Sequence, residues 1–157
     1  MAGGGGAGAP VLDVVALIWE REGRLLVART HGRDAWYLPG GKREPGEAPA
    51  QALAREVREE LGVALDSATV APVVTVEAAA HGHPAGTRVR MTCWRGRVVG
   101  EPRPCGEIAE LAWFGPEAVA GLAPAAQLAF RAVFGGTGAG EADAGWPGDP
   151  TGPAPGA

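Results

Sequence analysis

Residues 41–63 constrain this chain more than any other stretch. They contain Arg55-Glu56-Val57-Arg58-Glu59-Glu60-Leu61-Gly62-Val63, which sets three carboxylates at i, i+3 and i+4. At about 100° per residue, Glu56, Glu59 and Glu60 fall within an arc of about 100° on a helix. Leu53, Val57, Leu61, Ala50 and Ala54 occupy a separate arc and make the stripe expected to be buried. The helix predicted over residues 46–61 therefore has a packed side and an acidic side. Ala48 and Ala52 fall on or near the acidic side, where small residues are expected to leave room for ions and a polyphosphate.

Such a helix breaks local rules. Glu56 and Glu60 are like charges four apart, which costs an isolated helix roughly 0.2–0.5 kcal/mol. Glu59 and Glu60 also crowd the last turn before Gly62, and a helix C-terminus favours cations. Functional sites are where such breaches are expected. A hard cation bound by carboxylate oxygens would neutralise the cluster; a solvated acidic face is the alternative. Upstream, Gly40-Gly41 follows Leu38-Pro39, Glu47 lies near the expected helix start, and Arg55 is about two turns further on, within reach of a carboxylate.

The spacing Gly41, Glu47, Arg55, Glu56, Val57, Glu59, Glu60, Gly62, Val63 satisfies every defined position of the Nudix box, Gly-x5-Glu-x7-Arg-Glu-apolar-x-Glu-Glu-x-Gly-apolar. The chain thus resembles the Nudix hydrolases, MutT-like enzymes among them, over the 23 residues of the box and, by strand and helix pattern, over most of residues 11–134. The resemblance implies an α/β (α+β) fold of the α/β/α sandwich type, a mixed sheet between helices. It also implies residue roles. Glu59 and Glu60 are the expected metal ligands, and Glu56 is either a third ligand or the base. The Gly40 carbonyl is similar to the backbone ligand of MutT-like members. Glu47 and Arg55 are expected to form a structural ion pair, and Gly41 to supply a special backbone conformation. A further acid on a later loop often completes such sites, and of Glu107 and Glu110 the looser loop position favours Glu107 as a catalytic residue.

The chemistry follows from charge. A phosphoanhydride is polyanionic and is repelled by an acidic helix unless cations bridge the two. Mg²⁺, with Mn²⁺ as an alternative, keeps several waters and shares carboxylate and phosphate ligands. A metal lowers the pKa of bound water, and a carboxylate orients or deprotonates the attacking molecule.

Composition bounds the remainder. The 157 residues, 46% of them apolar, read as one domain over residues 11–134, with Gly/Ala- or Gly/Pro-rich tails at 1–10 and 135–157 that are expected to be disordered. Trp146 stands alone in the second tail. A net charge of −4 argues against duplex nucleic acid as a partner and leaves a small nucleotide as the expected one. Cys93 and Cys105 form no disulfide framework. The clean apolar run 14–19 is far shorter than a membrane span, and no export signal is evident. A cytoplasmic monomer or homodimer is the expectation.

Strands are predicted over 11–19, 24–29, 69–79, 87–99 and 110–114, with a helical turn over 116–120 and a closing helix over 125–134 that buries Leu128, Val133 and Phe134. Arg29, Lys42 and Trp36 are candidate substrate contacts, the cations for phosphates and the indole for base stacking, with Arg33 and Tyr37 beside them. Core packing is the alternative for Trp36 and Tyr37, and Trp94 and Trp113 read as core. His81 and His83 read as a solvated loop. Residues 76–80 lack the proline that accompanies ADP-ribose hydrolysis in the resembled family, and the one tyrosine, Tyr37, precedes the box. The expected reaction is therefore hydrolysis of a nucleoside triphosphate, an oxidised one included, to the monophosphate and pyrophosphate. A nucleotide-sugar or ADP-ribose pyrophosphatase and a noncatalytic nucleotide sensor are the alternatives.

Overall fold

The computed structural model describes residues 10–135, so residues 1–9 and 136–157, with Trp146, lie outside the described residues. The strands are β1 (Val11–Leu17), β2 (Glu20–Arg21), β3 (Arg24–Thr30), β4 (Gly40–Lys42), β5 (Ala64–Leu65), β6 (Ala71–Ala79), β7 (Arg88–Arg95), β8 (Val98–Val99) and β9 (Ile108–Phe114). The helices are α1 (Pro49–Leu61) and α2 (Pro124–Phe134), and 3-10 turns cover Ser67–Thr69 and Pro116–Gly121.

One sheet has the order β4-β1-β7-β6. It is mixed, because β1 runs parallel to β7 while β4 and β6 pair antiparallel. A second, antiparallel sheet has the order β2-β3-β9. The nearly continuous apolar runs in β1 and β3 have a direct cause: both strands are covered on both faces. Val15 and Leu17 join one core cluster with Leu53, Val57 and Leu61 of α1. Their neighbour Ala16 joins the other cluster with Ala126, Ala129 and Phe130 of α2. Strand β3 divides the same way, Leu26 toward α1 and Leu25 and Val27 toward α2. With period-2 alternation this makes an α/β/α sandwich. Each fully buried Leu or Val in these clusters contributes about 1.5–3 kcal/mol relative to exposure.

Several boundaries differ from the sequence expectation. Helix α1 starts at Pro49, three residues late, because Glu47 is held in the preceding loop, where its carboxylate accepts the Glu44 N–H at 3.0 Å. Pro49 suits the first helical turn, and the Gln51 side chain accepts the Ala48 N–H at 3.1 Å. Ala52 is fully buried in the α1 core, not beside the acidic face. The predicted strand 87–99 is broken after Arg95, because Val98–Val99 leaves β7 to pair with β5. In α2 the fully packed residues are Ala125, Ala126, Ala129 and Phe130; Leu128, Val133 and Phe134 lie at its margin. Small alanines let α2 approach the sheet closely and leave the larger side chains at the rim. Among the described residues no helix is long and apolar enough to cross a membrane.

Candidate functional site

The site begins where β4 meets α1. A Cβ on Gly40, at φ +152°, would collide with the Val15 carbonyl oxygen, so the β4–β1 pairing requires glycine there. A Cβ on Gly41 would lie 2.6 Å from the Glu56 carboxyl carbon. The paired glycines thus let the edge strand lie directly against the acidic side of α1.

Arg55 organises one pole of that acidic side. Its Nε and Nη2 donate to Glu47 at 2.8 Å, its Nη1 donates to Glu56 at 2.8 Å, and Glu59 lies 3.6 Å from the same Nη1. Its Nη2 also donates to the Lys42 carbonyl at 3.1 Å, which ties the helix to β4. The Arg55 hydrogen bonds hold the Glu47 carboxyl down at about 2. Glu56 sits above the usual carboxyl range, because burial outweighs its contact with Arg55.

Glu60 occupies the other pole. The Gly40 N–H donates to its carboxylate at 3.2 Å. Burial pushes its pKa up to about 8, with further upward pressure from Glu56, Glu107 and Glu59. Glu107 reaches this pole from the loop before β9, whose position is fixed by the His31 N–H donating to the Glu107 carbonyl at 3.0 Å. Among the described residues no three His, Cys, Asp or Glu side chains already converge as a metal-ligand group. Arg55 draws Glu56 aside, and Glu59, at 60% side-chain exposure, faces outward.

Glu60 and Glu107 open on a cleft of about 650 Å³ along the α2 side of β1. Lys42, Gly40 and Gly41 line it with them. Arg29 and Trp36 do not: Arg29 pairs with Glu110 and lies over the Trp36 ring, which packs against Phe114 with centroids 5.1 Å apart. Glu110 is thereby turned away from the carboxylate pole. Tyr37, next to Trp36 in an extended segment, points the other way and lines the cleft. His81 and His83 also line it, from a loop that is solvent-exposed as expected. The sequence signal for this was the alternation of Trp36 and Tyr37, whose sense could not be read without the tertiary pairing of Tyr37 with Ala28. Trp94 and Trp113 pack on the α1 core, Trp113 edge-on to Trp19.

Comparison with known proteins agrees with this geometry. A family model, the NUDIX domain, matches residues 9–133. A 57-residue segment is 46% identical to the CTP pyrophosphohydrolase of Escherichia coli (strain K12), covering 34% of this chain and 42% of that protein. A 58-residue segment is 40% identical to the RNA pyrophosphohydrolase of Tolumonas auensis, covering 37% and 33%. The matched segments span less than half the length of these two curated relatives. The solution structure of the E. coli ORF135 protein is similar at a TM-score of 0.68 and 34% identity, over 85% of this chain and 96% of that one. Box, sandwich and family model coincide over one stretch of sequence, and the chain belongs to the NUDIX domain family.

Proposed function

We propose that this chain is a divalent-metal-dependent pyrophosphohydrolase. Its substrate is a nucleoside diphosphate linked to another group, foremost a nucleoside triphosphate, oxidised forms included, cut to the monophosphate and pyrophosphate. The observation that carries this reading is Glu60: a half-buried carboxyl at the cleft with one backbone N–H donor and three other acids pressing its pKa upward.

That environment fits a hard cation. The donors are all oxygens, and a cation would favour the ionised Glu60 that burial disfavours. Glu56, Glu59, Glu60 and the Gly40 carbonyl would hold the ion, Mg²⁺ or Mn²⁺. When bound, it would polarise the phosphoryl oxygens and acidify a water. The chain's own residues do the rest. Lys42, on the cleft wall, offsets phosphate charge. Glu107 faces the same cleft and accepts the proton of the water that attacks phosphorus, as the bond to the leaving phosphate oxygen breaks. Arg55 holds Glu56 and ties α1 to β4, so that the acids keep their places during turnover.

A substrate panel tests the reading. Nucleoside triphosphates, 8-oxo-dGTP, ADP-ribose and dinucleoside polyphosphates are incubated with Mg²⁺ or Mn²⁺, and products are identified by phosphorus NMR. Metal-dependent release of pyrophosphate from a triphosphate is expected. Turnover of ADP-ribose alone would move the assignment to nucleotide sugars, and no turnover of any substrate would favour a sensing role.

A further inference from the structure

A short strap, residues 103–108, runs from the end of α1 into β9 and carries Glu107. Helix α1 stops at Gly62, so the carbonyls of its last turn have no partner within the helix. The strap supplies donors for two of them. The Arg103 N–H donates to the Leu61 carbonyl at 3.0 Å, and the Cys105 N–H donates to the Glu60 carbonyl at 2.9 Å. Glu60, whose carboxylate lies at the cleft, is therefore tied through its main chain to the segment that delivers Glu107 to the same cleft.

The delivery is a tight turn. The Ile108 N–H donates back to the Cys105 carbonyl at 3.0 Å, with Gly106 and Glu107 as the central residues. Gly106 has φ +56°, and Glu107 lies outside the left-handed region. A positive φ at the first central residue alone marks a type II′ turn, where glycine is favoured. A Cβ on Gly106 would lie 3.3 Å from the Glu59 carbonyl oxygen, so the turn rests directly on the end of α1. On the other side of Glu107 the β3–β9 register slips. Thr30 opposes Ile108 and Arg29 opposes Glu110, which leaves Ala109 without an opposite residue. Bulges of this kind re-aim side chains beside active sites. The His31 N–H on the Glu107 carbonyl completes the fixation.

We infer that Gly106 is a positioning residue for hydrolysis: its left-handed backbone holds the proton-accepting Glu107 at the cleft in a fixed relation to Glu60. The inference rests on the function proposed above, and Gly106 acts only through Glu107. A β-branched side chain is an outlier at this φ, whereas Asn visits the left-handed region routinely. Replacing Gly106 by Val therefore drives φ negative, opens the 105–108 turn and moves Glu107. A misplacement of about 1 Å in a reacting group costs up to about 10²-fold in rate.

The test compares Gly106→Val with Gly106→Asn in the full chain. Both carry the Cβ that would meet the Glu59 carbonyl, so the difference between them reads backbone conformation. With Mg²⁺ and the triphosphate that the panel identifies, Gly106→Val should lower kcat about tenfold and keep KM within about twofold, and Gly106→Asn should recover most of the loss. In a Glu107→Gln background, Gly106→Val should cost nothing further. Without metal or substrate, the Ile108 amide should exchange about tenfold faster in Gly106→Val while the Arg103 amide keeps its protection. Undiminished kcat, an unchanged Ile108 amide, a loss carried by KM or an equal loss in the Glu107→Gln background would each overturn the inference. If Gly106→Val does not fold, Gly106→Ala against Gly106→Asn makes the same comparison. A wild-type chain inert on every substrate sinks the enzymatic reading and this inference together; an active wild type with additive losses sinks the inference alone.

Discussion

Glu47 and Glu60 flank the same glycine pair, are the same residue type and take opposite chemical characters. Glu47 receives two Arg55 donors at 2.8 Å and a backbone N–H from Glu44, and is held at about 2. Glu60 receives one backbone N–H at 3.2 Å and is pushed up to about 8, chiefly by burial. One carboxylate lies in the loop before α1 and the other in the last turn of α1. A carboxylate with a matched guanidinium fastens the loop to α1. A half-buried carboxylate with other acids near it is unfavourable until something positive arrives, which is the state the proposed metal would relieve.

The largest expected effect comes from breaking the Glu60 pole. Glu60→Gln keeps an acceptor for the Gly40 N–H but removes the charge, and should lower kcat/KM by roughly 10³-fold in steady-state assays. The same variant should raise the melting temperature of chelator-treated protein at pH 8. The sign follows from linkage: between the usual carboxyl range near 4.3 and about pH 8, Glu60 binds more protons folded than unfolded, so the stability of the metal-free chain falls as pH rises. Added Mg²⁺ should flatten that slope. A metal-free protein whose stability is insensitive to pH over this window would refute the assignment.

Next in size is Glu107→Gln, expected to cost about 10²-fold in kcat. An unchanged kcat would leave the proton acceptor to Glu56. Loss of the Glu47 pole should act on stability before chemistry. Arg55→Ala leaves Glu47 and Glu56 without their guanidinium, and a drop of several degrees in melting temperature is expected by calorimetry. Glu47 gives the pH dependence opposite to that of Glu60. Its contribution is present above the usual carboxyl range and is lost as pH falls toward about 2, so Glu47→Gln should flatten the acid limb of the stability curve. The smallest effect belongs to Glu110, whose side chain is 56% exposed beside Arg29. Glu110→Gln should change stability by less than about 1 kcal/mol and leave kcat unaltered, which separates it from Glu107.

Residues whose role depends on spacing along one element were legible in advance. The three glutamates share one side of α1 because helical geometry puts them there, and β1 and β3 read as strands because both of their faces are apolar. Residues whose role depends on which neighbour arrives from elsewhere were not. Arg29 and Trp36 were expected at the substrate, yet Glu110 and Phe114 of β9 hold them outside the cleft. Ala52 lies on the acidic arc by angle, yet the sheet closes over it. The His81-Gly82-His83 loop is exposed as expected, but that Arg33, almost fifty residues earlier, lies against Gly82 could not be read from spacing.

The sequence by itself therefore determined the helix with its acidic face and the strands buried on both sides, because these follow from 3.6- and 2-residue periodicities. The Glu47–Arg55 pair was expected from the resemblance, but only the tertiary structure decided that Glu60 is left half-buried at the cleft. It alone decided which of Trp36 and Tyr37 faces that cleft. Those outcomes depend on desolvation and pairing between segments distant in the chain, and no local pattern encodes them.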